Sequence, residues 1–325
     1  MIRRPLAAIV LALALVGALA CPASAQRARA PYRVGVLTDA RAGNHPTVGG
    51  LKAGLRDRGL QEGRDVVFDV RLTDGNPERM PAAAGALVKA GMDVIFTSGD
   101  AATLAAKRAT QTIPIVFTLV GDPVAAGIVP SLAHPAANVT GVSSLTTELV
   151  PKRLEALKAL VPQLRRVWAL HLGADAPSEA ATTTAVEASS RFAIEIESRT
   201  IRRPDELAQV LDGLRPGDAL LVPDIAAMDL SAVLLETSLA RRVPAVFASE
   251  LWVNHGGLVS YGADYRAQGV QAARLVAKIL RGTHPRDVPV EAAERIVLAV
   301  NIKTAAVFGL TAPRQLLFQA DIIHR

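Results

Sequence analysis

Aromatic side chains and cysteine are both scarce in this chain. Seven Phe, three Tyr and two Trp make up 4% of 325 residues, so a core must come from Ala, Val, Leu and Ile within the 50% hydrophobic content. That balance is globular rather than disordered or fibrous, and the length suits two domains or one large α/β unit. The single cysteine, Cys21, lies in "MIRRPLAAIVLALALVGALACPASA". Arg3 and Arg4, an apolar run from Leu6 to Ala20 and then Ala23-Ser24-Ala25 read as a secretory signal peptide over residues 1–25. The run is too short for a lasting bilayer span. Cleavage after Ala25 would remove the only thiol, which excludes a disulfide framework and cysteine chemistry. Lipid attachment at Cys21 is the less favoured route, because Ala18-Leu19-Ala20 is a poor box for it. Cleavage also takes away two arginines and no acid, so the formal charge of +6 becomes +4. An exported, soluble, periplasmic protein is expected.

Other absences narrow the chemistry. No GxSxG elbow, HExxH, Walker loop or GxGxxG is present, so no catalytic residue is assigned and an enzyme is not expected. The six histidines, His45, His134, His171, His255, His284 and His324, have no short ligand spacing, so no metal or cofactor is expected. The basic residues are scattered among acids without interleaved aromatics, which excludes a nucleic-acid surface.

What is present is a repeated α/β alternation. "YRVGVLT", "DVVFDVRL", "DVIFTSG" and "IPIVFTLV" read as strands, with "TVGGLKAGLRDRGL", "MPAAAGALVKAG" and "DAATLAAKRAT" as helices between them. Apolar strands without polar alternation, separated by helices, predict a parallel sheet covered on both faces. The plan then restarts with "RRVWALHL", "AIEIESRTI", "DALLVPD" and "VPAVFAS" as strands. Asp93 to Pro114 and Asp218 to Pro244 share wording, the second copy being five residues longer. Two doubly wound, Rossmann-like lobes joined by a multi-crossing hinge are expected. Lobe 1 would take 31–143 plus about 263–288, and lobe 2 144–262 plus about 289–325, with the tail from Pro289 the hardest part to assign.

In open parallel sheets, ligands sit beyond the carboxyl ends of the strands. That rule makes Thr38, Asp39, Ser98, Gly99, Asp100, Ala101, Asp122 and Ser143 candidates in lobe 1. In lobe 2 it selects the segment around Asp175, Asp224 and Glu250. Gly99 permits a tight turn, and the N–H groups opening the next helix can hold a carboxylate with help from the Ser98 hydroxyl. The competing reading is that Ser98 or Asp100 caps that helix. Asp122 can face a ligand ammonium, or cap a helix whose first residue is Pro123. Trp168 sits in a strand and belongs to the core; Trp252 can stack on a ligand.

The stretch "IPIVFTLVGDPVAAGIVPSLAHPAANVTGVSS" resembles the signature of a bacterial family of ABC-transporter substrate-binding proteins that includes tryptophan/tyrosine-type members. "GGLVSYGADYRAQGVQAARLVAKILRGTHPRDVPVE" and "LAVNIKTAAVFGLTAP" extend the likeness over nearly the whole chain. The resemblance implies a type I periplasmic-binding fold with three crossings, closing on a small solute such as an amino acid or a related carboxylate. It also implies a monomer and an inner-membrane ABC permease, with its ATPase, as partner; a ligand sensor for a membrane signalling protein is the alternative. On that reading the helix after Gly99 takes the carboxylate, and Asp122 with Asp224 or Glu250 takes the ammonium. Pro135-Ala136-Ala137-Asn138 departs from the family's Pro-Gly before Asn-x-Thr-Gly, and "HLGADAPSEA" replaces an asparagine-rich turn.

Overall fold

Apolar runs in the first half form β1 (Tyr32–Thr38), β2 (Val66–Leu72), β3 (Val94–Ser98), β4 (Ile115–Val120) and β5 (Val139–Ser143). They alternate with α1 (Pro46–Arg56), α2 (Met80–Lys89) and α3 (Asp100–Ala109). The computed structural model describes residues 30–40, 45–173, 176–202, 206–222 and 230–325. Neighbouring strands are parallel in the order β2-β1-β3-β4-β5. The runs are continuous because alternate residues serve opposite layers. Val34, Val36, Val94 and Phe96 pack with Leu51 and Leu55 of α1. Leu37, Ile95, Ile115 and Phe117 face Met80 and Leu87 of α2 and Ala102 of α3.

The second half repeats this wiring. After α4 (Val150–Leu160) come β6 (Arg166–Leu172), α5 (Ala176–Ser189), β7 (Glu195–Ile201), α6 (Glu206–Leu211) and β8 (Asp218–Leu221). Then follow α7 (Leu230–Arg241), β9 (Ala245–Phe247), α8 (Glu250–Asn254) and β10 (Val259–Ala263). The parallel order is β7-β6-β8-β9-β10, the first sheet's plan again. Val167, Ala169, Ala219 and Val246 face α4, while Trp168, Leu170, Leu220 and Phe247 serve the opposite layer. The fold is two α/β lobes of the type I periplasmic-binding class. The wording shared around Asp93 and Asp218 has a structural use. Asp93 accepts the Arg33 N–H at 2.7 Å. Buried Asp218 takes the Arg166 guanidinium on both oxygens, at 2.8 and 2.7 Å. Both acids tie strands together at the amino ends of the sheets.

The tail departs from an all-parallel pattern. A short strand, β11 (Glu291–Ala292), pairs with β5 in the first sheet. β12 (Ile296–Asn301) runs antiparallel to β10 in the second, with β13 (Ile322–His324) parallel to β12. Two short helices, α10 (Ile302–Val307) and α11 (Arg314–Gln319), lie between these last strands. By sheet membership the chain leaves the first sheet for the last time after Ala292. The chain passes between sheets three times: through residues 144–149, at Asp264, and through residues 293–295.

After Asp264, α9 (Tyr265–Leu280) returns to the first lobe and lies on α1. Glycines let the two backbones touch. A Cβ on Gly50 would stand 2.1 Å from the Arg266 carbonyl oxygen, and one on Gly269 2.0 Å from that of Thr47. On the other side of the hinge, Arg153 of α4 is 2% exposed. Its Nε donates to the Tyr261 carbonyl at 2.8 Å and its guanidinium NH1 to the Thr146 carbonyl at 2.9 Å. One buried cation therefore joins the first crossing to the strand that enters the second, satisfying two carbonyls.

Candidate functional site

Strand register assembles the first lobe's candidates. Thr38 pairs with Ser98, Ser98 with Thr118, and Val120 with Ser143. Thr38, Ser98 and Ser143 are thereby aligned along one carboxyl edge, each nearly or wholly buried. The first crossing leaves from β5 and the second from β10, so the carboxyl edges of both sheets flank the crossings. Ser98 accepts the Thr47 hydroxyl at 3.4 Å, and Ser143 Oγ donates to the Gly121 carbonyl at 3.2 Å. Helix α3 opens here. Its N-cap is Gly99, at φ 96°, which carries no side-chain acceptor. A Cβ there would meet nothing within 4 Å, so conformation rather than crowding requires glycine. Asp100 and Ala101 form the first helical turn, with Ala101 exposed.

The end of β4 is irregular. The register with β5 slips between Phe117 and Val120, and Leu119 holds φ 53°. A left-handed leucine is strained, and such strain collects where a site re-aims the chain. The Leu119 N–H reaches Gln268 Oε1 at 3.4 Å, and the same oxygen accepts the Ser144 hydroxyl at 3.0 Å. Asp122 follows the bulge. Its Oδ1 accepts the N–H groups of Val124 and Ala125 at 3.0 and 2.9 Å. It caps a turn, not the helix expected from Pro123. Gly127 at φ 66° and Pro130 stop the alanine patch after one turn.

In the second lobe, Glu250 begins α8 at the carboxyl edge of β9, after Ser249. Burial, reinforced by the Asp264 carboxylate, pushes its carboxyl above the ordinary range, while the Arg295 cation acts the other way. Asp264 caps α9 through Ala267 N–H at 2.9 Å and pairs with Arg295 at 3.1 Å. Asp175 and Asp224 lie outside the described residues, as does the lengthened connection from residue 223 to 229. Among the described residues, no three His, Cys, Asp or Glu side chains gather to hold a metal, and no helix is long and apolar enough to cross a membrane.

A family model described as ABC transporter substrate binding protein matches residues 38–323. The chain belongs to that family. This substrate-binding protein is 26% identical over 266 residues to the tyrosine-binding protein of Clostridioides difficile (strain R20291), covering 80% of this chain and 76% of the relative. It superimposes with a TM-score of 0.82 on a conserved domain protein of Vibrio cholerae O1 biovar El Tor, at 27% identity, covering 90% and 99% of the two chains. An ABC domain from Streptococcus pneumonia in complex with L-Trp gives the same score and coverage at 24% identity, which speaks for the fold.

Residues in both lobes of the binding protein take roles that the sequence reading did not assign. His45 caps α1, bonds Thr47 Oγ1 at 2.8 Å and stacks on Tyr265 with ring centroids 6.1 Å apart. Burial lowers its pKa. Only Pro46 at the first helical position signalled a helix start there; histidine is not a favoured cap. Trp252 packs on Phe247, centroids 6.3 Å apart, and flanks the layer that contains Trp168. Where the family carries Pro-Gly, Ala136 and Ala137 both take positive φ, at 55° and 52°. Two consecutive alanines thus hold a left-handed conformation that favours glycine.

Proposed function

We propose that this substrate-binding protein is exported to the periplasm, takes an amino acid between its lobes and delivers it to an ABC permease and its ATPase. The observation that carries the reading is the start of α3 at the carboxyl edge of β3, where Gly99 faces open space beside Ser98. Backbone N–H groups at such a start favour a carboxylate. Thr38, Asp100, Ala101 and Ser143 complete this wall. The ammonium goes to Glu250, whose half-buried carboxyl gains from a neighbouring cation. Asp122 takes a smaller share because Oδ1 already holds two N–H groups, and Asp224 is a third contributor. The C. difficile relative is named for tyrosine and the streptococcal structure holds L-Trp, which supports an aromatic side chain.

The test is calorimetric titration with L-Tyr, L-Trp and L-Phe, alongside tyramine and 3-(4-hydroxyphenyl)propionate, which lack one charged group each. At least one amino acid binds and raises the unfolding free energy by about 2.7 kcal/mol at a hundredfold excess over Kd. Both truncated compounds bind far more weakly, and Glu250→Gln weakens the amino acid. Binding of tyramine as tight as tyrosine, or no response to any amino acid, refutes the assignment.

A further inference from the structure

A cavity of about 540 Å³ lies in the second lobe, lined by the β10–β12 pair, α4 and α11. Its size is that of a small-molecule site. Tyr261 and Leu298 are direct cross-strand partners on the floor, with Ile296 two residues along the same face. Ala156 and Ala159, one turn apart on α4, leave the space that larger side chains would fill. α11 closes the opposite wall.

The polar groups around this apolar floor carry both signs. Lys152 and Glu155 of α4 pair at 2.8 Å while both remain more than half exposed, at 58% and 52%. Such a pair contributes little to stability, so a ligand replaces it at small cost. The Lys152 ammonium is held above its usual value by Glu155, and the Tyr261 phenol adds to that field. Across the cavity, Asp321 is fixed at the edge of β12, its Oδ2 accepting the Leu298 N–H at 2.8 Å. Gln315 and Gln319, one turn apart on α11, bring amide donors and acceptors.

We propose that this cavity is a second ligand site, for a free α-amino acid with an apolar side chain. The carboxylate lies at Lys152 and Tyr261, the ammonium between Glu155 and Asp321, and the side chain on Ala156, Ala159 and Ile296. The inference is independent of the interlobe reading. The site adjoins the hinge, because Arg153 beside Lys152 holds the Tyr261 carbonyl.

The probe is 4-fluoro-L-phenylalanine, followed by ¹⁹F NMR on the purified protein. A bound resonance is expected that disappears in Ala159→Trp, which fills the cavity, and in Gln319→Trp, an exposed position whose replacement leaves folding intact. The same resonance persists in Glu250→Gln. At this site, 4-fluorophenethylamine and 3-(4-fluorophenyl)propionate bind about tenfold more weakly, the loss that one charge-assisted hydrogen bond brings. No bound resonance at millimolar probe, bound resonances unchanged in the tryptophan variants, or equal binding of either truncated probe overturns the proposal.

Discussion

Gly269→Ala tests whether the α1–α9 seam depends on backbone contact. In a helix, alanine is favoured over glycine by about 1 kcal/mol, so propensity alone predicts stabilisation. The added methyl would stand 2.0 Å from the Thr47 carbonyl oxygen and 2.9 Å from the Leu51 nitrogen. Both neighbours are main chain and cannot rotate away, so the two helices must separate by more than an ångström to reach ordinary contact. Overpacking of this kind costs about 1–3 kcal/mol and occasionally more. Backbone on both sides places this case at the upper end, leaving a net loss of about 1–2 kcal/mol after the propensity gain. At roughly 2–4 °C per kcal/mol for a chain of this size, Tm should fall by about 2–8 °C in a thermal melt followed by circular dichroism. Gly85→Ala is the matched control. That glycine lies on α2 with nothing within 4 Å of its would-be Cβ. It should gain up to about 1 kcal/mol. A Gly269→Ala protein as stable as the parent, with Gly85→Ala behaving as expected, would refute the close-contact argument.

Two further substitutions probe the hinge. Arg153→Met leaves the Thr146 and Tyr261 carbonyls without their buried donor, and should lose about 2–4 kcal/mol in urea unfolding; a loss below about 0.5 kcal/mol would show the crossings hold without it. Glu250 keeps its proton in the folded chain at pH values where the unfolded chain has released it, so its burial penalty is present above the raised pKa and absent below the ordinary value of 4.5. Glu250→Gln should therefore melt higher than the parent at pH 7.5, with the gap closing as pH falls toward 4.5; a gap that widens on acidification contradicts the sign.

The central strands were legible because each is apolar on both faces, a pattern that survives in one dimension. "YRVGVLT" maps residue for residue onto β1. The carboxyl-edge rule likewise picked out Thr38, Ser98 and Ser143, which the register aligns. Features that depend on distant partners were not legible. The slip at Leu119 is tied to Gln268, which lies 149 residues away in sequence. Nothing near Arg153 in sequence marks it for burial; it is buried where two crossings converge on its guanidinium. The alanines after Asp122 have helix propensity, but Gly127 and Pro130 end the turn before it can propagate. In the tail, short strands of two, six and three residues carry too little periodicity to reveal an antiparallel pairing.

The return of α9 to α1 also constrains the order in which the molecule can be completed. Residues 31–143 form a contiguous stretch but not a self-sufficient one. Without α9 the face of α1 bearing Gly50 and Gly54 has no cover, and without β11 the first sheet ends at β5. A chain emerging from its amino end must therefore hold its earliest strands unfinished until residues 265–292 arrive. The first lobe to be made is closed by almost the last of the chain, so the two lobes are finished together rather than in turn.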